Sequence, residues 1–70
     1  MIKRGDKIKI SNVNVLVVEV FDDNTAKIIY RDNGYRILDD VVFTNGIWQF
    51  ELSGVSGRKL KDSEYSDFIL

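Results

Sequence analysis

The sequence predicts an all-β domain in which five short strands curl into a small barrel. Seventy residues are too few for two separate hydrophobic cores, so we expect a single domain. Eight Val and eight Ile stand against five Leu and one Ala, and branching at Cβ favours strands over helices. Clusters of Asp, Asn and Gly divide the chain at intervals typical of β-hairpins, and the chain contains no Pro.

The turn signals place the predicted strands. A short first strand surrounds Ile8 and Ile10. Asn-Gly pairs at 33–34 and 45–46 accept the positive φ values of a type I′ turn, and Asp22-Asp23-Asn24 marks a third turn. The other strands are therefore expected at residues 13–21, 25–31, 35–43 and 47–52, with a bulge or bend where Asp39-Asp40 interrupts the fourth.

Alternation along the strands assigns side chains to two faces. The inward face is predicted to carry Leu16, Val18, Val20, Ala26, Ile28, Tyr30, Trp48, Phe50 and Leu52. The outward face is predicted to carry an apolar stripe of Val15, Val17, Phe21 and Ile29. Glu19 lies on the same face and identifies it as the more solvent-exposed one. A stripe of this size needs a cover, which could be the C-terminal segment, a second copy of the chain or another protein.

The short turn at residues 32–34, between the third and fourth strands, selects the type of barrel. An oligonucleotide-binding barrel usually has a helix between its third and fourth strands, and the turn at 32–34 leaves no room for one. We therefore expect a five-stranded SH3-like barrel over residues 1–57 and a polar C-terminal appendage over residues 58–70, packed on the barrel or on a partner. That appendage forms either an extra strand or a helical turn begun at Asp62 or Ser63, because its apolar residues are spaced at i, i+3 and i+4: Tyr65, Phe68 and Ile69.

The composition argues against catalysis. The chain contains neither Cys nor His, so it lacks thiolate and imidazole ligands for metals and the commonest general base. The acidic pairs Asp22-Asp23 and Asp39-Asp40 are better explained by turn chemistry than by chelation, because neighbours on a strand point to opposite faces. We expect no enzyme activity, no cofactor and no metal, and a cytoplasmic protein without a membrane span.

A further pattern runs from residue 18 to residue 42, about a third of the chain. It comprises the strand Val18-Glu19-Val20-Phe21, the acidic turn at 22–24, the strand at 26–30, the sequence Asp32-Asn33-Gly34-Tyr35 and a return through Ile37 to Asp39-Asp40-Val41. Together these residues resemble a Tudor-type barrel, one branch of the SH3-like group. The resemblance implies binding of methylated Lys or Arg side chains of partner proteins, because aromatic ring faces attract such weakly hydrated cations. Tyr30, Asp32 and Gly34 match the family positions, whereas Asn33 and Tyr35 stand in inverted order.

The leading functional prediction is a non-catalytic domain that binds a partner protein or a second copy of itself. The aromatic residues could gather at one barrel mouth and anchor the partner, while the acidic loops attract a basic one. Alternatively, Trp48 and Phe50 fill the core. The residues predicted to bind the partner are Phe21, Ile29, Tyr30, Asp32, Tyr35 and Trp48.

Nucleic-acid binding is the alternative prediction. The net charge of −1 opposes it, but residues 1–9 carry +3 and residues 10–57 carry −4, so a basic patch could form if the two ends of the chain lie together. Tyr30 or Tyr35 would then offer a stacking surface. The predicted phosphate contacts are Lys3, Arg4, Lys7, Lys9, Arg58, Lys59 and Lys61.

Overall fold

A computed structural model describes residues 1–51 and 57–69, and it confirms a small all-β domain with one short helix. The strands are β1 (Lys7–Ile10), β2 (Val13–Asp22), β3 (Thr25–Asp32), β4 (Tyr35–Thr44), β5 (Ile47–Phe50) and β6 (Arg58–Leu60), and the helix is α1 (Asp62–Ile69). The C-terminal segment thus contains both an extra strand and a helix. Leu52, predicted to point inward, and the side chain of Ile69 lie outside the described residues.

The strands form one antiparallel sheet in the order β1-β2-β3-β4-β5, and β6 pairs with the first half of β4. The sheet curls strongly into a half-barrel, which is compatible with an SH3-like barrel. Curling brings β1 near β5, but within the described residues β1 pairs only with β2 and β5 only with β4. The two edge strands are therefore close in space, but the barrel is not closed by pairing between them.

The Asn-Gly hairpins form as predicted. Asn33 and Gly34 have φ values of 50° and 82°, and Asn45 and Gly46 have 54° and 83°, as a type I′ turn requires. Ser11 and Asn12 make an equivalent turn between β1 and β2, with φ values of 48° and 66°. The register follows directly, because a two-residue turn fixes which residues face each other across the hairpin.

The predicted bulge at Asp39-Asp40 is wrong. β4 pairs with β3 without interruption, Asp39 opposite Ile28 and Asp40 opposite Lys27. The Asp39 side chain is buried, and its carboxylate accepts a 2.8 Å hydrogen bond from the Asp40 amide, while Asp40 lies 3.7 Å from the Lys27 ammonium. These contacts accommodate both acids inside a regular strand.

The irregularities lie in β2 instead. The pairing with β3 shifts by one residue between Val17 and Glu19 and again between Val20 and Asp22, so Val18 and Phe21 are extra residues. The first shift brings Val17 and Val20 to the same core, although they are three positions apart. The face predicted for Val15 and Val17 is therefore wrong, and so is that of Leu16 and Val18, because simple alternation does not hold across a bulge.

Two apolar clusters form on opposite faces of the sheet. The inner cluster lines the concave side and consists of Ile10, Val15, Val17, Ala26, Ile28 and Val41, with Trp48 and Phe50 packed against it. The outer cluster consists of Val18, Ile29, Leu38 and Leu60. Tyr65 and Phe68 of α1 pack against this outer cluster, so the C-terminal segment is the cover that the outer face required.

Polar contacts at both ends hold α1 on the sheet. Glu64 accepts hydrogen bonds from the Lys61 amide (3.2 Å) and the Arg58 guanidinium (2.8 Å), which together lower its pKa, the Arg58 contact most. At the other end, Arg4 donates a 3.0 Å hydrogen bond to the Phe68 carbonyl, where a cation complements the helix dipole. The helix is thus fixed to β6 and to the segment before β1.

Candidate interaction surfaces

The aromatic residues predicted to bind a partner do not gather at one mouth of the barrel. Tyr35 begins β4 and Trp48 faces Phe43 near its end, so the two rings are roughly 27 Å apart along the strand. Phe21 lies near the Trp48 end but contacts Lys27 on the outer face, 5.7 Å from ring centroid to ammonium. The predicted partner residues therefore divide between two ends and two faces of the sheet.

At the Tyr35 end, a cation already covers an aromatic ring. The Lys59 ammonium lies 4.2 Å from the centroid of Tyr35, which is 53% exposed, and Asp32 is exposed opposite it at the hairpin tip. Tyr30 is half-buried and contacts Phe50 edge to face at 5.4 Å. Burial raises the pKa of the Tyr30 hydroxyl, and the nearby charges of Asp39 and Asp32 raise it further.

Ile29 is only 4% exposed, because it belongs to the outer cluster beneath α1. It offers no accessible surface to a partner. Phe21, by contrast, is 53% exposed on the same face.

A cleft opens on the concave side, between the N-terminal segment and the β4–β5 hairpin. This open cleft has a volume of about 590 Å³ and is lined by Met1, Ile2, Ile8, Phe43 and Trp48. The Phe43 and Trp48 rings contact each other at 5.4 Å, and Phe43 is 39% exposed. The only charged side chains of its lining are Asp6 and Asp23. Trp48 is thus both partly buried against the core and part of an accessible surface.

The open cleft also contains residues that the sequence reasoning missed. Phe43 is not among the residues predicted to bind a partner, although the Asn45-Gly46 turn fixes the register that places it opposite Trp48. Met1 and Ile2 reach the cleft through the N-terminal turn, in which the Gly5 amide donates a 2.8 Å hydrogen bond to the Val17 carbonyl. No local sequence signal marks that packing.

The seven predicted phosphate contacts also separate. Arg4 bonds to the end of α1, Arg58 pairs with Glu64 at 2.8 Å, and Lys59 covers Tyr35. Lys3 and Lys61 are exposed elsewhere. Lys7 and Lys9 line a common cavity, and Lys7 also lines a smaller groove together with Arg4.

That cavity is a second, basic cleft on the outer face. It has a volume of about 520 Å³, and its charged and aromatic side chains on the outer face are Lys7, Lys9, Arg31, Arg36 and Tyr65. Leu16 and Ile29 contribute to its floor. Arg31 and Arg36 escaped prediction because they belong to the acidic middle of the chain, although the Asn33-Gly34 turn places them opposite each other.

The described residues contain no group of three or more acidic side chains that could hold a metal ion. None of them belongs to a helix long and apolar enough to cross a membrane. No protein-family model, curated protein or solved structure matches the chain.

Proposed function

We propose that the protein is a non-catalytic interaction module that binds an extended segment of a partner protein in the open cleft. The observation that carries this proposal is the ring pair of the exposed Phe43 and the half-buried Trp48, beside an edge of β5 that no other described strand pairs with. Aromatic side chains of this kind are the usual anchors of protein interfaces, because they bury a large area with few rotatable bonds.

The free edges of the half-barrel favour a strand as the bound form. The turn at Asn45-Gly46 makes Thr44 and Ile47 a hydrogen-bonded pair, so the backbone groups of Trp48 and Phe50 point away from β4. The same rule directs the backbone groups of Lys7 and Lys9 away from β2. A partner strand added to either edge would bond to its outward-pointing backbone groups, and on β5 it would cover the rings with alternate side chains.

The charge at the rim favours a basic partner. Asp6 and Asp23 stand beside the apolar lining, and opposite charge at a rim increases the association rate and suppresses acidic competitors. We therefore expect the bound segment to alternate apolar with basic residues. A second copy of the chain could supply such a segment through β1, whose sequence is Lys-Ile-Lys-Ile.

The Tudor resemblance supports a recognition role but points to another place. Its matching residues Tyr30 and Asp32 lie at the far hairpin, where Lys59 already stacks on Tyr35. An external methylated side chain would have to displace that internal cation. The open cleft has no such occupant among the described residues, and for this reason we place partner binding there.

The test is selection of binding peptides from a displayed random library, followed by measurement with three purified variants. Phe43→Ala should weaken the selected peptides about tenfold or more, because it removes a central anchor. Ile47→Ala is the matched control: Ile47 is 58% exposed on the same hairpin but its side chain points to the other face, and it should bind as wild type.

Circular dichroism of each variant separates loss of binding from loss of fold, and light scattering reports self-association. Selected peptides that bind Phe43→Ala as tightly as wild type, or that leave the Trp48 and Phe50 amides unshifted in NMR spectra, would overturn the proposal. A dimer dissociated by Phe43→Ala would identify the second copy as the partner.

A further inference from the structure

We propose that the basic cleft on the outer face is a separate binding site for single-stranded nucleic acid. It lies on the opposite side of the sheet from the open cleft, and its principal residues are Lys7, Lys9, Arg31, Arg36 and Tyr65. The inference is independent of the proposed protein binding, since Ile8 is the one residue that lines both clefts and their charged and aromatic side chains all differ.

The sheet register brings these cations together. Lys7 faces Leu16, which faces Ile29, and Lys9 faces Asn14, so both lysines share the face of Leu16 and Ile29. Arg31 is two positions from Ile29, and Arg36 stands opposite Arg31, which places both arginines on that face too. The first, third and fourth strands thus contribute their cations to one surface.

The cleft concentrates positive charge, and among the described residues a carboxylate pairs with Arg36 alone of its four cations. No acidic residue lines it. Within residues 1–51 and 57–69, the ion pairs are Lys27–Asp40, Arg36–Asp62 and Arg58–Glu64, so no carboxylate pairs with Lys7, Lys9 or Arg31. In an acidic protein with a net charge of −1, such a surface is a local exception that favours an anionic ligand.

The two arginines give the strongest indication that the basic cleft binds an anion. Like charges directly opposite each other on neighbouring strands destabilise a sheet, and Arg31 faces Arg36. Asp62 accepts a 2.8 Å hydrogen bond from Arg36, and the Tyr65 ring lies 4.0 Å from its guanidinium carbon. Arg36 is therefore fixed in place, whereas Arg31 retains its full charge for an external anion. A phosphate bound between them would relieve their repulsion.

The dimensions suit a single strand. Lys7 and Lys9 are about 7 Å apart along β1, and two intervening strands place β4 roughly 14 Å from β1. Proteins that read duplex DNA insert a helix or a ribbon into a groove, but here Tyr65 of α1 walls a concavity. The half-buried side chains of Leu16 and Tyr65 can receive bases, as in other sites that combine a basic groove with apolar and aromatic contacts.

The test is fluorescence anisotropy with a labelled oligothymidylate of about ten nucleotides, titrated at several salt concentrations. Four phosphate contacts predict that affinity falls roughly fifty-fold for a fourfold rise in salt. The double variant Lys7→Gln/Lys9→Gln removes two contacts and should bind more weakly, with a fall of about sevenfold over the same range. Both lysines are exposed, so the fold should remain intact.

The matched control is Lys3→Gln/Lys59→Gln, which makes the same change in net charge away from the basic cleft. Lys59 faces Ile37 and therefore belongs to the opposite face from Arg36. This control should bind as wild type. Equal weakening by the two double variants would show attraction by overall charge and would overturn the proposal. Equal affinity for a duplex or for oligoglutamate of matched charge would also overturn it.

Arg31→Gln separates binding from stability. It should weaken oligonucleotide binding while leaving the urea midpoint unchanged or raised, because it removes an unfavourable cross-strand pair. A lowered midpoint with unchanged binding would assign Arg31 a structural role and contradict the proposal. Phe43→Ala should bind the oligonucleotide as wild type does. The proposal of peptide binding in the open cleft and that of oligonucleotide binding in the basic cleft can therefore fail separately.

Discussion

Asp22 organises the turn between β2 and β3 with its carboxylate. Its Oδ1 accepts a 2.8 Å hydrogen bond from the Asn24 amide and a 2.9 Å bond from the Thr25 hydroxyl. These bonds lower the pKa of Asp22 below its ordinary value of 3.8, the Asn24 amide most. The turn therefore replaces the Asn-Gly chemistry of the other hairpins with side-chain hydrogen bonds.

This carboxylate should make stability depend on pH in acid. Because the pKa is lower in the folded state, its contribution is complete above the unfolded pKa and is lost as pH falls through the folded one. Asp22→Asn should therefore show a smaller fall in urea midpoint than wild type between about pH 5 and about pH 2.5. Asp23→Asn is the control, because it removes the same charge from the neighbouring residue of the turn. If both variants follow the wild-type curve, Asp22 is not the group responsible.

Single residues also explain which parts of the site could be predicted. The positive φ values of Asn33, Gly34, Asn45 and Gly46 follow from local chemistry, and both hairpins were correctly predicted from it. The basic cleft was not, because Lys7, Arg31 and Arg36 meet only through the registers of three hairpins. One of those hairpins turns at Ser11-Asn12, which carries no Gly to mark it.

At the scale of the element, α1 acts as the cover of the outer cluster. Its two apolar residues Tyr65 and Phe68 occupy positions i and i+3 and pack against the outer cluster beneath. The spacing was visible in the sequence, but it could not distinguish a cover from a partner-binding helix. That distinction depended on the β2 bulge, which decides which valines point outward.

Phe68→Ala should therefore destabilise the whole domain. Truncating a fully buried Phe costs about 3 to 5 kcal/mol, and Phe68 is half-buried, so we expect a loss of about 1 to 2 kcal/mol. Urea denaturation followed by Trp48 fluorescence measures it. Asp67→Ala, at the preceding exposed position, should change stability much less. A Phe68→Ala variant as stable as Asp67→Ala would mean that α1 does not protect the outer cluster.

At the scale of the whole molecule, the half-barrel predicts a gradient of stability across the sheet. β3 is paired along both sides, whereas β1 and β5 each pair on one side within the described residues. The fold class was predictable from strand number and turn spacing, but the incomplete closure was not. Closure depends on how far the sheet curls, which no local pattern encodes.

Amide hydrogen exchange measured by NMR should report this gradient. We expect the slowest exchange in β3, around Ile28, and much faster exchange at Trp48 and Phe50, whose N–H groups point to the open edge. Protection of those two amides equal to that of β3 in a dilute sample would contradict an open half-barrel. If that protection declined on dilution, it would identify a second copy at the edge.

The extra residues in β2 have a consequence for comparing this chain with others. Val18 and Phe21 take no part in the one-to-one pairing with β3, and both contact residues of the outer face. A chain lacking Val18 could keep every cross-strand partner that β2 has here. An alignment with such a chain would show a one-residue gap inside a strand, and that gap would signify conserved pairing, not a break in the sheet.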